Sequence, residues 1–166
     1  MSEWWHTSIS LASMPTWRER YDVSILIVDD SKFILRFTEH QLISAGFNDI
    51  NTLTSGEQVF PFLNQYDNYK RVDLILMDVF MEGASGISVC KAIKQAPKSK
   101  DIQVMIMTSD TSEEILQQSF DAGAIDSIAK PIRKTELLAR VNSAIRLKQE
   151  MDKVKAREQE LLQVKR

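Results

Sequence analysis

The feature that most constrains the fold is a short, largely apolar run at positions 72–77 that stops on the carboxylate of Asp78. A run of this length between polar residues is typical of a strand buried on both faces of a parallel sheet. The glycine-containing stretch at 83–86 predicts a turn directly afterwards. We therefore expect Asp78 at the carboxyl end of a central strand, which is the edge where open α/β sheets bind ligands. Taken alone, this placement is equally compatible with a carboxylate that merely ends the strand.

The rest of the chain alternates between similar runs and segments with helical periodicity. Apolar runs predict four more strands, at 23–28, 50–53, 102–107 and 125–129. Helices are expected between and after the strands, beginning near residues 31, 55, 86, 112 and 134. Pro61 should shorten the second helix, and residues 64–71 should form a polar loop. Strands that alternate with helices over short links predict an α/β protein whose parallel sheet is covered on both faces.

Polar residues stand at four of the predicted strand ends. They are Asp29 with Asp30, Asp78, Thr108 and Lys130. Because the strands are parallel, these side chains should meet at one edge of the sheet. Three carboxylates repel one another unless a cation joins them, and oxygen ligands of this kind suit Mg²⁺. The lysine and the threonine can donate hydrogen bonds to an anion beside the metal, and a phosphoryl group is the obvious candidate.

Four motifs resemble those of a known family. They read Ile27-Val28-Asp29-Asp30-Ser31, Leu76-Met77-Asp78, Met107-Thr108-Ser109 and Ala129-Lys130-Pro131. In this order and at these strand ends they resemble the receiver domain of response regulators, the CheY-like fold of two-component signalling, over about residues 24–146. The resemblance implies a doubly wound, flavodoxin-like sheet of five parallel strands in the order 2-1-3-4-5.

The resemblance also implies a role for each residue of the constellation. Asp78 would be the phosphoacceptor for a sensor histidine kinase or a phosphotransfer protein. Asp29, Asp30 and Asp78 would hold Mg²⁺ together with the backbone carbonyl of Phe80. Lys130 would pair with the phosphoryl oxygens, and Thr108 would move to hydrogen-bond the phosphoryl group, which adds about −1.5 to −2 charge at one point.

Several positions depart from the usual pattern of that family. Ser127 stands where an aromatic residue commonly couples to the threonine, which leaves open how Thr108 would signal to the rest of the domain. Glu82 stands where a proline is common. Phe80 and Asp110 occupy the two positions that flank the path of the hydrolytic water. Because Phe80 is bulky, we expect the phosphoryl group to be lost slowly by autodephosphorylation.

The sequence continues as an uninterrupted helical pattern beyond the expected domain. Leu147, Met151, Val154, Glu158, Leu161 and Lys165 recur at alternating spacings of four and three. This heptad pattern predicts a parallel two-stranded coiled coil and hence a homodimer, although a solvated helix end remains the alternative. Two ion pairs are expected along this helix, Glu150 with Lys153 and Asp152 with Lys155. In receivers such a helix commonly leads to a C-terminal effector, and this linker resembles those before diguanylate cyclase domains, although phosphatase and kinase effectors use similar linkers.

These patterns divide the chain into an N-terminal extension at 1–22, a receiver domain at 23–146 and a coiled-coil-like signalling helix at 147–166. The extension contains all three tryptophans, so it is expected either to lean on the domain or to contact a partner. The effector is expected to lie outside this chain, which would itself be no enzyme beyond its own phosphorylation and dephosphorylation.

Composition bears on nucleic-acid binding, membrane insertion, localisation and disulfide formation. The net charge of −2 gives no reason to expect direct nucleic-acid binding, and no apolar run is long enough to span a membrane. With no secretory signal at the N-terminus, a cytoplasmic protein is the default expectation. The single cysteine, Cys90, excludes an internal disulfide and is expected to be a buried helix residue.

Two other classes of protein share parts of this residue pattern. A phosphohydrolase with an aspartyl nucleophile would also place Asp78 at a strand end, but that class requires a second aspartate where Phe80 stands. A pseudo-receiver that acts only as a scaffold would not need the complete set of acidic, hydroxyl and lysine residues that this sequence retains.

Overall fold

The computed structural model describes residues 23–164 as a five-stranded sheet with helices on both faces. The strands are β1 (Ser24–Val28), β2 (Asp49–Leu53), β3 (Val72–Asp78), β4 (Gln103–Thr108) and β5 (Asp126–Ala129). The main helices are α1 (Lys32–Ser44), α2 (Val59–Asn64), α3 (Gly86–Gln95), α4 (Glu113–Asp121) and α5 (Lys134–Val164).

All strand pairs are parallel, and the order across the sheet is β2-β1-β3-β4-β5. The predicted doubly wound, flavodoxin-like fold is therefore confirmed. β3 lies at the centre, and its seven residues are the longest strand, so Asp78 ends the most enclosed strand of the sheet. The order also brings the ends of β1 and β4 to either side of Asp78.

Two apolar layers hold the helices on the sheet because successive residues of each strand face opposite sides. Leu26 and Val28 of β1 belong to the layer that also contains residues of α2 and α3. Ile25 and Ile27 belong to the other layer, which contains Leu42 of α1 together with residues of α5. The core strands β1, β3 and β4 are buried on both faces, as their nearly continuous apolar sequences predict.

Serine side chains fix the starting points of three helices. The hydroxyl oxygens of Ser31, Ser85 and Ser112 accept hydrogen bonds from backbone N–H groups in the first turns of α1, α3 and α4. Each such cap typically contributes about 1 kcal/mol. Gly46, with a φ of 100°, ends α1 in the left-handed conformation that glycine tolerates best.

The expectation of a polar loop at 64–71 is wrong. The structure forms a 3₁₀ turn at Gln65–Asp67 and a single helical turn at Asn68–Arg71. The buried side chain of Asn68 donates a hydrogen bond to the carbonyl of Phe62 at 2.8 Å, which holds this segment against the end of α2. As expected, the helix containing Pro61 is short, with only six residues.

The prediction that Cys90 is a buried helix residue is confirmed. Cys90 is fully buried in α3, and burial raises the pKa of its thiol to about 11 despite the nearby charge of Lys94. No helix within residues 23–164 is long and apolar enough to cross a membrane.

Helix α5 contains 31 residues, which corresponds to about 46 Å of helix. Its first half packs on the sheet through buried residues such as Leu137 and Val141, whereas the second half extends away from the core. Leu147, Val154 and Leu161 are 45%, 52% and 63% exposed, so these three positions of the predicted seam are open to a partner.

The ion pairs along this helix differ partly from the expectation. Glu150 pairs with Lys153 at 3.4 Å, as predicted. The predicted pair of Asp152 with Lys155 is wrong, because Asp152 instead binds Lys148 at 2.6 Å, and Lys155 binds Asp101, two residues before β4. Sequence spacing favours neighbours on one helix, but the domain offers Lys155 a carboxylate from outside it.

The amide nitrogen of Gln103 lies 3.1 Å from the sulfur of Met151, a seam position, which adds a second contact between α5 and the base of β4. Lys165 and the tryptophan-containing residues 1–22 lie outside the described residues.

Candidate functional site

The acidic residues of the site lie where β1 and β3 end. Asp29 follows β1 directly, is fully buried, and is held by a backbone hydrogen bond from its own N–H to the carbonyl of Leu53 in β2. One of its carboxylate oxygens accepts the backbone N–H of Ser31 at 2.9 Å. Asp78 is 5% exposed at the end of β3. Because Asp29 accepts the N–H of Ser31, the residue that caps α1, the helix cap and the acidic site share one turn.

Asp29, Asp30 and Asp78 present carboxylate oxygens that all lie within 4.8 Å of one another. Two of these residues are buried, and Asp30 is exposed, so the cluster opens to solvent on one side. A set of convergent carboxylates with room for water is the donor set that Mg²⁺ prefers. Phe80 lies in the loop directly after β3, with its side chain 55% exposed. Its carbonyl thus belongs to the same edge as the three carboxylates.

Lys130 supplies the opposite charge. Its ammonium lies 2.7 Å from Oδ2 of Asp29 and 3.1 Å from Oδ1 of Asp78, so it bridges the two buried carboxylates. The backbone also fixes its position, because the N–H of Lys130 donates to the carbonyl of Thr108 at the end of β4. The following peptide bond, to Pro131, is cis.

The pocket shifts the proton affinity of both kinds of group. Burial, followed by the charge of Asp29, raises the pKa of Asp78 to about 6, although Lys130 opposes this shift. For Lys130, burial lowers the pKa, but the hydrogen bonds and charges of Asp29 and Asp78 outweigh burial and raise it. At neutral pH the site therefore holds an ionised lysine and an ionised Asp78 that carries an unfavourable charge.

Thr108 lies at the same edge, but its hydroxyl is engaged locally. It donates to the carbonyl of Asp110 at 3.1 Å and accepts from the N–H of Asp110 at 3.0 Å. The carboxylate of Asp110 in turn accepts the N–H of Ser112, which lowers the pKa of Asp110. The β4–α4 loop thus holds the hydroxyl in a turn instead of directing it at a carboxylate.

The loop after Asp78 is fixed by two features that sequence reasoning missed. A Cβ atom at Gly86 would lie 1.9 Å from the carbonyl oxygen of Asp78, so the start of α3 approaches the site closely only because this residue is glycine. Glu57, before α2, accepts the backbone N–H of Ala84 at 2.7 Å, and this contact lowers the pKa of Glu57. The partners are 27 residues apart, and no local pattern in the sequence connects them.

The structure brings Asp29, Asp30, Asp78 and Lys130 into direct proximity. Thr108 shares their edge with its hydroxyl turned to its own loop, and Phe80 follows Asp78 by two residues in the loop after β3. Ser127, where an aromatic is common in the resembled family, lies in β5 at partial exposure and pairs with Ile106 of β4.

Comparison with known proteins gives a consistent result. The family described as the response regulator receiver domain matches residues 25–142. The cyclic di-GMP phosphodiesterase response regulator RpfG of Xanthomonas campestris is 30% identical over 155 residues, which cover 86% of this chain and 37% of that protein. The transcriptional regulatory protein YvrH of Bacillus subtilis is 33% identical over 125 residues, which cover 75% of this chain and 50% of that protein.

A solved structure also matches. The chemotaxis protein CheY4 of Vibrio cholerae superposes with a TM-score of 0.67 and 27% identity, covering 74% of this chain and 98% of that one. The chain spans half or less of the length of the two regulators named above. The match over residues 25–142, the strand order and the acidic pocket agree, and the chain belongs to the response regulator receiver domain family.

Proposed function

We propose that Asp78 accepts a phosphoryl group from a phosphohistidine of a sensor histidine kinase or a phosphotransfer protein. The observation that carries this proposal is the ammonium of Lys130, which bridges the buried carboxylates of Asp29 and Asp78. The third carboxylate, that of Asp30, is exposed, so the cluster is open to solvent on that side. Receiver domains generally bind Mg²⁺, and the donor set here fits that ion. Asp29, Asp30, Asp78 and the carbonyl of Phe80 would hold it.

The transfer needs a nucleophile, charge neutralisation and a leaving group. An oxygen of the ionised Asp78 attacks phosphorus, a P–O bond forms as the P–N bond of the donor breaks, and the electron pair remains on the imidazole nitrogen. Lys130 lies within reach of the oxygens that carry negative charge after transfer, because it already contacts Asp78 at 3.1 Å. When bound, Mg²⁺ supplies further charge neutralisation between the carboxylates and the phosphoryl oxygens.

We also propose that Thr108 reports the phosphorylated state. Its hydroxyl would exchange the two contacts with Asp110 for a hydrogen bond to a phosphoryl oxygen, and the β4–α4 loop would rearrange as a result. Because Ser127 lacks a ring, this signal would pass through movement of the β4–α4 loop.

The phosphorylation state of Asp78 would then be communicated to a partner through α5. The receiver, proposed to extend over residues 23–146, is joined to the helix at 147–166, whose exposed seam of Leu147, Val154 and Leu161 suits a second copy of the chain. A homodimer built on this seam would carry the signal to a C-terminal effector.

For the effector we favour an enzyme of cyclic di-GMP turnover, such as a phosphodiesterase or a diguanylate cyclase. The match with RpfG covers 86% of this chain, whereas the receiver match alone covers residues 25–142, so the similarity to RpfG includes residues outside the receiver. The match with the transcriptional regulator YvrH is shorter, at 75% of the chain.

The test of the phosphoacceptor role is incubation with acetyl phosphate and Mg²⁺, followed by intact-protein mass spectrometry. We expect a single phosphoryl adduct on the wild type and none on Asp78→Asn. Asp73→Asn is the matched control, because Asp73 is a second partly buried aspartate of β3 that binds the N–H of Ser24 at the opposite end of the strand. Absence of the adduct from the wild type, or its persistence in Asp78→Asn, would contradict the proposal.

A further inference from the structure

An exposed apolar strip lies on the outer face of α1, outside the cluster of Asp29, Asp30, Asp78 and Lys130. Phe33 is 73% exposed and stacks with Phe37, with the ring centroids 6.3 Å apart. Ile43 is 52% exposed near the other end of the helix. Arg36 and His40 lie between them and, with Lys32 and the two phenylalanines, line a depression on the surface. We call Ile43 and the residues that line the depression the α1 strip.

The chemistry of the α1 strip suits aromatic side chains. Phenylalanine rings accept edge or offset stacking from another ring, and the guanidinium of Arg36 can lie flat on an indole. The strip therefore combines apolar contact with cation–π partners along about 15 Å of helix, from Phe33 to Ile43.

The course of the chain supplies a matching occupant. All three tryptophans, Trp4, Trp5 and Trp17, precede the first described residue, and the rest of the sequence contains none. Val23 belongs to the same apolar layer as Leu42 of α1, so the chain enters the domain on the side of the sheet that α1 covers.

The distances allow this segment to reach the whole strip. Because α1 runs antiparallel to β1, Ile43 lies near the end of the sheet where Val23 stands, and Phe33 lies near the acidic pocket. Six residues from Trp17 to Val23 span up to about 20 Å, and eighteen from Trp5 span up to about 60 Å, whereas α1 is about 20 Å long.

We propose that residues 1–22 dock on the α1 strip within the same chain, with Trp17 toward Ile43 and the pair Trp4–Trp5 toward Phe33. Phe33 follows Asp30 by only three positions, so the docked segment borders the opening of the acidic pocket. This last consequence rests on the proposed function, because a protein phosphodonor would then have to share or displace the segment. The docking itself does not depend on phosphorylation.

Tryptophan fluorescence of the full chain tests the docking, because every tryptophan belongs to the segment. A synthetic peptide of residues 1–22 provides the solvent-exposed reference. We expect the full chain to emit at shorter wavelength than the peptide and to resist quenching by acrylamide. Phe33→Ala and Ile43→Ala should each shift the emission and the quenching constant toward the peptide values, since both residues are exposed and their replacement leaves the core intact.

Phe120→Ala is the control, because Phe120 is 47% exposed on α4, which packs on the opposite face of the sheet. Its emission should equal that of the wild type. Emission from the full chain that already equals the peptide's would overturn the proposal, as would insensitivity to Phe33→Ala and Ile43→Ala. Two other results would also overturn the proposal. A tryptophan emission spectrum that changes with protein concentration would indicate that the segment binds a second copy of the chain. A shift of the emission on Leu147→Ala would indicate that the segment binds the α5 seam.

Discussion

Replacement of Asp78 by asparagine should stabilise the folded protein in the absence of Mg²⁺. The carboxylate of Asp78 is buried beside that of Asp29, and these two effects raise its pKa from 3.8 to about 6. Asparagine has nearly the same shape but no charge, so it removes the unfavourable ion. Lys130 keeps its closer partner, Asp29, at 2.7 Å, and no buried cation is left unpaired.

The size and the pH dependence follow from the pKa. Because the folded protein binds this proton more tightly than the unfolded chain does, the free energy of unfolding falls as pH rises from about 4 to about 6. A difference of about two pKa units corresponds to about 3 kcal/mol lost by the wild type above that range. Asp78→Asn should therefore be up to about 3 kcal/mol more stable than the wild type at pH 7, with the difference vanishing near pH 4.

Urea unfolding at pH 4 and pH 7, followed by far-ultraviolet circular dichroism, measures the stability difference between the two proteins and its dependence on pH. Asp110→Asn is the control, because hydrogen bonds from Ser112 lower the pKa of Asp110. This variant should be less stable than the wild type at pH 7, which is the opposite change to that of Asp78→Asn. Added Mg²⁺ should stabilise the wild type more than Asp78→Asn and so narrow the gap between them. An Asp78→Asn variant that is no more stable than the wild type at pH 7, or whose gain in stability is as large at pH 4, would refute an unfavourable buried charge on Asp78.

Three further predictions concern the loop after the site and the C-terminal helix. Gly86→Ala should destabilise the fold by about 3 kcal/mol in urea unfolding, because its Cβ would meet the carbonyl oxygen of Asp78; a loss below 1 kcal/mol would contradict the rigid approach described here. Phe80→Ala should shorten the phosphoryl lifetime, measured by the decay of the adduct after removal of the donor, because it opens the path for water; an unchanged lifetime would count against this role. Leu161→Asp should weaken self-association roughly thirtyfold in sedimentation equilibrium, since a buried leucine contributes about 2 kcal/mol, while Gln159→Asp outside the seam should not; equal association of the two variants would argue against the coiled coil.

Much of the site could be predicted from the sequence because a parallel sheet collects its strand ends at one edge. Asp29, Asp78 and Lys130 are far apart in sequence, yet each follows or ends an apolar run, so their convergence needs only the fold class. The helix starts at Ser31 and Ser112 were predictable for a similar reason, since capping is a contact within three residues.

What the sequence did not predict depends on contacts between distant segments. The hydrogen bond from Ala84 to Glu57 and the pairing of Lys155 with Asp101 join residues 27 and 54 positions apart with no periodic pattern. The hydroxyl of Thr108 could be placed at the correct edge, but its engagement by Asp110 depends on the conformation of the loop. The turns within 64–71 depend on positive φ values at Tyr66 and Asp67, and such a conformation is rare for a bulky residue such as Tyr66.

The most direct measurement is identification of the residue that carries the phosphoryl group. After incubation with acetyl phosphate and Mg²⁺, reduction with borohydride converts a phosphoaspartate to homoserine, and peptide mass spectrometry locates the converted position. We predict that the wild type is converted at Asp78 alone and that Asp78→Asn is not converted at all. Conversion at Asp29, at Asp30 or at any other carboxylate, or no conversion in the wild type, would contradict the central claim that the buried carboxylate bridged by Lys130 is the phosphoacceptor.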